Sequence, residues 1–316
     1  LFQASERGKK VATLANALDA ILADYAISGK KTAQRVKQSF AHLSAHFGTE
    51  TDLAGIGYSQ LLAYTRKRME GSEKEPKAAG STVRNELIAL KRGFHLLEIA
   101  GEAKCPPFPT IRLNNVRKGF FEDGQFREVC RLLPGDLAPY MQFLFLTGWR
   151  ADDARRLTWN ANVDLVGGMI RVDPGETKCG EGRCWPFAVL NEFRTLILDQ
   201  LRDTKGMEIK LGRVIPWVFW RYPDARQVGD YRKAWKTACR KAGLPGRLVH
   251  DLCRTAARRF DQSGMSRSVS MDLMGRATES IFDRYNIVIE ADLINGVKKL
   301  EEKRKEARDE NEKGKA

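Results

Sequence analysis

The sequence predicts a mainly α protein in two domains, the first all-helical and the second α+β with a small β-sheet. Three observations carry this. Apolar side chains recur at helical spacing in four successive stretches of the first hundred residues. A proline-rich break, Cys105-Pro106-Pro107-Phe108-Pro109, then interrupts the pattern. Beyond it, one pair of short alternating segments stands among otherwise helical stretches. A chain of 316 residues is long enough for two domains with cores of their own.

The first helix is read from Val11, Leu14, Leu18, Ile21, Leu22 and Tyr25, which fall on one face, and Gly29 ends it. Thr32 is placed to cap a second helix running to Phe47, with Val36, Phe40, Leu43 and Phe47 as its stripe and Gly48 after it. Tyr58 to Met69 gives a third. The polar stretch from Glu70 to Gly80 reads as a loop, after which Ser81 can cap a fourth helix with Val83, Leu87, Leu90, Phe94 and Leu97 facing inward. We expect residues 1–104 to form this helical domain, 105–118 a linker, 119–300 the second domain, and 301–316 a charged, disordered tail without an apolar stripe. In the second domain the pattern is helical through Leu137 to Leu146. Met169 to Val172 and Cys184 to Phe187 read as paired strands, with Pro174-Gly175-Glu176-Thr177-Lys178 at the hairpin tip. Helical spacing returns over Asn191 to Leu201 and Tyr231 to Ala242.

Fifty-four Lys and Arg against forty Asp and Glu leave a net charge of +14. That excess favours a polyanionic partner, because each neutralised phosphate releases condensed counterions. On the helices of the first domain the cations fall in groups: Lys30, Lys31, Arg35 and Lys37 at one end, and Arg66, Lys67, Arg68, Arg84, Lys91 and Arg92 on the third and fourth helices. A charged helix face is ordinarily just solvated, but cationic faces on several helices of one small domain point to a DNA-facing surface. A helical scaffold with a merely basic surface would instead behave indifferently to salt. No run reaches the length of a membrane span, and no signal pattern opens the chain. The six cysteines are dispersed, with neither a Cys-x-x-Cys pair nor a histidine at zinc-ligand spacing, which suggests a reducing cytoplasm. His42 and His46 share a helix face but have no third ligand nearby, so we read them as surface or groove residues.

The chemistry-bearing residues fall in a definite order. Thr147-Gly148-Trp149-Arg150 is followed by Asp153, Leu157 and Trp159. Gly175-Glu176-Thr177-Lys178 and Glu181-Gly182-Arg183 flank the hairpin tip. Val249-His250-Asp251-Leu252-Cys253-Arg254 opens a small-residue helix, Gly275-Arg276 follows, and Ser280-Ile281-Phe282-Asp283-Arg284-Tyr285-Asn286 closes the series. This order resembles the tyrosine recombinases, the phage-integrase type of site-specific DNA strand-exchange enzymes, over about Gly119 to Glu290. The resemblance implies a helical, SAM-like core-binding domain and a catalytic domain that together clamp DNA.

Transesterification at a phosphodiester needs a nucleophile, cationic donors for the non-bridging oxygens and an acid for the leaving 5′ oxygen. The resemblance assigns Tyr285 as nucleophile, forming a 3′-phosphotyrosine that keeps the bond energy for rejoining. It assigns Arg150 to the scissile phosphate, buttressed by Asp153 where the family usually has glutamate. Arginine suits this because its planar fork binds two oxygens at once. Lys178 is implied as the acid, and His250 as the first residue of the His-x-x-Arg element. Arg183 and Arg254 join the basic residues expected to face DNA.

Two family positions are substituted. The second arginine clamp is Cys253 here. Arg254 does not replace it simply, because seen along the helix from His250 position 253 lies about 60° to one side and position 254 about 40° to the other. The histidine or tryptophan that follows the glycine in the family is Arg276, another donor but a larger one. Losing one preorganised donor to a transition-state oxyanion costs roughly 3–4 kcal/mol, about 10²–10³ in rate. Cys253 itself is expected to be a small helix residue and not a thiol nucleophile, since no nearby feature activates it.

Two function classes follow. In one, the protein cleaves and rejoins DNA with impaired efficiency. In the other, it is a catalytically inactive DNA-binding regulator, or an accessory to another recombinase, on the same fold. The resemblance implies no bound cofactor and no metal, a duplex DNA partner, and tetramers on paired sites that exchange a C-terminal segment, for which residues from Ile289 through Leu300 are the candidate. The implied location is the bacterial cytoplasm, at the nucleoid.

Overall fold

The computed structural model describes residues 11–30, 32–71, 76–113, 119–175, 182–275, 297, 301 and 304. Two compact units divide the chain, Leu1–Asn115 and Val116–Ala316.

Four helices build the first unit: α1 Leu14–Ile27, α2 Ala33–Phe47, α3 Tyr58–Glu70 and α4 Gly80–Ile99, with a 3₁₀ turn at Leu53–Gly55. Thr13 opens α1 through a reciprocal cap, its hydroxyl accepting from the Asn16 amide while the Asn16 side-chain oxygen accepts from the Thr13 amide. The stripes converge on one core of Leu14, Ala17, Ile21, Val36, Phe40, Leu43, Leu61, Tyr64, Val83, Leu87, Leu90, Phe94 and Leu97, except that Val11, expected on the first stripe, precedes α1 and is exposed. Each large side chain buried there contributes about 1.5–3 kcal/mol before entropy is set against it. Three expectations need correction. Helix α4 starts one residue before Ser81, with Ala79 as its cap residue. Thr32 precedes α2 without a side-chain cap. Cys105, Phe108 and Ile111, expected in a linker, pack on the first unit's core, with the Phe108 ring edge-on to Phe94.

Arg68 is a further correction. Read from sequence as part of the basic face, it is buried and binds Glu86 through two nitrogens, Nη2 at 2.7 Å and Nε at 3.2 Å. The Tyr64 hydroxyl donates to the same carboxylate at 2.7 Å. Burial, then Glu86, raises the Tyr64 phenol well above its ordinary pKa.

The second unit continues with α5 Asp123–Leu132, α6 Ala138–Thr147, the one-turn helices α7 Ala151–Ala154 and α8 Trp159–Asn162, α9 Asn191–Leu211, α10 Arg232–Lys241, α11 Asp251–Gln262 and α12 Arg267–Met274. Strands β1 Val163–Asp164, β2 Met169–Val172 and β3 Arg183–Trp185 form an antiparallel sheet in chain order, with Ile170 opposite Trp185 and Val172 opposite Arg183. A second hairpin pairs β4 Trp220–Arg221 with β5 Arg226–Gln227. Helix α6 carries almost no polar residue and is buried nearly all round, so it forms the centre of the core, packed by Phe126, Trp149, Phe193, Phe219, Leu252 and Ala256.

The expected strand pair is present, with the second strand running over Arg183–Trp185 instead of Cys184 to Phe187 and with β1 added. Helix α9 runs ten residues beyond the expected Leu201. The tip residues 176–181, the segment 276–296 and nearly all of the tail and of the candidate exchange segment lie outside the described residues. Among the described residues no helix is long and apolar enough to cross a membrane.

Candidate active site

Arg150 is fixed at the junction of three helices. Helix α6 ends at Gly148, whose φ of +66° is the left-handed conformation of a helix C-cap. A Cβ at this position would lie 2.8 Å from both the Ala256 Cβ of α11 and the Met274 Cε of α12. Only glycine allows all three helices to meet there. Trp149 follows, fully buried, its indole N–H donating to the Leu273 carbonyl at 2.7 Å. Arg150 then caps α7, its carbonyl accepting from the Asp153 and Ala154 amides at 3.0 and 3.1 Å. The Tyr140 hydroxyl pins the next residue, donating to the Ala151 carbonyl at 2.6 Å. From this anchored backbone the half-buried Arg150 side chain places Nη1 3.4 Å from the Gly275 carbonyl, at the C-cap of α12. That glycine directly precedes Arg276.

Asp153 does not bond the Arg150 guanidinium as expected. Its carboxylate lies 2.7 Å from Nη2 of Arg183. The shorter aspartate side chain is directed into the core, where strand β3 delivers an arginine. Arg183 therefore also departs from its expected role facing DNA: its side chain is 0% exposed. Strand alternation explains this, since Trp185 faces the core and Arg183 lies on the same side of β3, with exposed Cys184 between them.

His250 is the exposed residue before α11, and Asp251 is its first helical residue. The buried Asp251 carboxylate accepts from the Leu248 amide at 2.8 Å and from Arg254 Nη1 at 2.6 Å. Arg254, expected to face DNA, is instead buried against a carboxylate of its own helix, a second correction. Cys253 is 3% exposed and points its Sγ at the Trp149 carbonyl, 3.6 Å away. The substituted clamp position therefore lies against the peptide that leads into Arg150. Of the three described arginines at this site, Arg150 alone has no carboxylate partner. Lys178, Arg276 and Tyr285 lie outside the described residues.

In the first unit, Arg35, Lys37, Arg66, Lys67, Arg84 and Lys91 are exposed. Lys30 and Arg92 flank Asp24 at 3.6 and 2.9 Å. The Arg92 hydrogen bond leads in holding that carboxyl below its ordinary pKa. Lys30, Arg35 and Arg92 line an open groove of about 840 Å³ with Tyr25, His42 and Asn85. His46 instead packs edge-on against Phe47 and Tyr64. Lys31 lies outside the described residues.

The structure is similar to that of a fragment of the Tn1549 transposon integrase in complex with transposon right-end DNA. The identity is 15%, with 91% of this chain and 99% of that chain covered and a TM-score of 0.70. It is also similar to a lambda integrase tetramer bound to a Holliday junction, at 16% identity over 89% of this chain and 80% of that one, with a TM-score of 0.69. A lambda integrase dimer bound to a COC′ core site gives 15% identity, 87% and 77% coverage, and a TM-score of 0.65. At these identities the likeness is one of fold. No curated protein matches the sequence significantly. Residues 129–290, half of the chain, match the Phage integrase family, and the chain belongs to that family.

Proposed function

We propose that the protein binds duplex DNA and carries out site-specific strand cleavage and exchange through a 3′-phosphotyrosine at Tyr285, with chemistry slowed by Cys253 and Arg276. The observation that carries this reading is Arg150. Its backbone is fixed on both sides, and among the described residues its guanidinium is held by one neutral carbonyl and no carboxylate. An arginine prepared in this way has donors left for a phosphate. Lys178 is the proposed acid for the leaving oxygen, and His250, exposed at the mouth of α11, a further phosphate donor. The exposed cations of the first unit supply sequence-independent affinity for the backbone. DNA-bound relatives, among them a dimer and a tetramer, support duplex DNA as the partner and assembly on it as an oligomer. Dispersed free thiols agree with a cytoplasmic location.

The test is a trapping assay on a nicked duplex that the protein is first shown to bind. A covalent adduct in wild type that disappears in Tyr285→Phe supports strand cleavage. Binding without an adduct refutes it.

A second reading, a DNA-binding regulator with silent chemistry, is favoured by the burial of Cys253, which supplies no cation where the family has its second arginine. Under this reading Tyr285→Phe leaves the protein's cellular effect intact. Loss of that effect counts against it.

A further inference from the structure

We propose that Arg183 is a positioning residue for Arg150, holding together the two pieces of backbone that determine where the Arg150 guanidinium lies. This rests on the reading above that Arg150 engages the scissile phosphate.

Arg183 touches the site in three places. Its Nη2 is 2.7 Å from Asp153, which lies in the turn that Arg150 caps. Its guanidinium carbon is 5.4 Å from the centre of the Trp149 ring, the residue before Arg150. Its side chain also lies over Gly275, so closely that a Cβ at 275 would run into it. Gly275 is in turn the residue whose carbonyl accepts the Arg150 hydrogen bond. Arg183 therefore contacts the helical turn that fixes the Arg150 backbone and the glycine that fixes its head. The φ of +63° at Gly275 and its missing side chain leave the room that the arginine fills.

Only a guanidinium fits this task. It is flat enough to lie against both the indole and the glycine backbone, and its fork reaches the carboxylate while doing so. Lysine would deliver a point charge to Asp153 and leave the glycine contact open. The register adds a second consequence. Arg183 begins β3 opposite Val172 of β2, so the β2–β3 pair is tied through Asp153 to the turn that Arg150 caps.

The experiment has a structural arm and a DNA arm. Crystal structures of Arg183→Met, and of Asp153→Asn in case the first variant does not fold, are compared with wild type without DNA. The proposal expects α7 and α12 to persist while the Arg150 guanidinium leaves the Gly275 carbonyl. An unchanged Arg150 overturns it, whether or not the protein cleaves DNA. In the DNA arm, single neutral methylphosphonates are stepped along the bound strand and affinity is measured. Wild type loses about tenfold at the scissile position, where a charge-assisted hydrogen bond is removed. Arg183→Met and Arg150→Met lose that discrimination, binding unmodified DNA about as weakly as wild type binds the scissile-position methylphosphonate, and Arg183→Lys restores only part of it. Discrimination that persists in Arg183→Met also overturns the proposal, because a merely stabilising role would leave it intact. Wild type that binds no DNA refutes the functional reading, and the structural arm still decides the role of Arg183.

Discussion

The thiol of Cys253 lies 3.6 Å from the carbonyl oxygen of Trp149, directly behind Arg150. In the family an arginine stands at position 253. Here the same position carries a small neutral group turned into the protein, so it supplies no cation to the site.

Restoring the clamp should restore rate. Cys253→Arg is expected to raise adduct formation on nicked DNA by about 10²–10³, the worth of one preorganised donor. Stopped-flow or quench measurement at saturating protein checks it. A rate unchanged in Cys253→Arg, alone and combined with Arg276→His, would show that the two substitutions are not what limits the chemistry.

The first unit carries exposed cations, proposed above to bind DNA, and a buried one that holds the fold. Arg35→Ala or Arg84→Ala should reduce the slope of log affinity against log salt by about one each, with little change in melting temperature. Arg68→Met should do the reverse. It strands the buried Glu86 carboxylate and is expected to cost about 3–5 kcal/mol of stability, leaving the salt slope unchanged. Urea unfolding and a salt titration on each variant distinguish the two classes.

Thiol reactivity should follow burial. Burial pushes the thiols of Cys130 and Cys239 up to about 12, which leaves only about one in ten thousand ionised at pH 8. Exposed Cys184 should therefore react first with a disulfide reagent at pH 8, and Cys130, Cys239 and buried Cys253 slowly. Labelling is read by peptide mass spectrometry in a Cys179→Ser background. Fast labelling of Cys253 would contradict its packing against Trp149.

Gly148→Ala tests the three-helix junction. The left-handed φ and the contacts with Ala256 and Met274 together predict a loss of roughly 2–4 kcal/mol. DNA cleavage should fall with it, since Arg150 is only two residues away. Thermal unfolding of the variant checks the first effect and the trapping assay the second.

Much of this architecture was legible in the sequence, for physical reasons that differ by element. The stripes of α2 and α4 repeat over three turns or more, so their cores follow directly from spacing. The expectation for α9 stops at Leu201, before the polar run Arg202-Asp203-Thr204-Lys205-Gly206. The helix continues because Thr204 and Met207 are buried, while Arg202 pairs with Asp199 and Lys205 with Glu208. The β4–β5 hairpin escaped notice because its strands of two residues are too short to show alternation. Arg150 and Cys253 were singled out by motif alone, but the contacts that define them, to Gly275 and Trp149, join residues more than a hundred positions apart. Arg183 was misread as facing DNA because charge was weighed before register. Its place two residues before core-facing Trp185 already put it on the buried side of the strand.

The most direct test of the account is to isolate the covalent protein–DNA complex from a nicked duplex, digest both components and sequence the modified peptide. The account predicts a peptide containing Ser280 to Asn286 with a 3′-phosphonucleotide on Tyr285. A modification on any other residue, or no covalent complex on DNA that the protein binds, would contradict it.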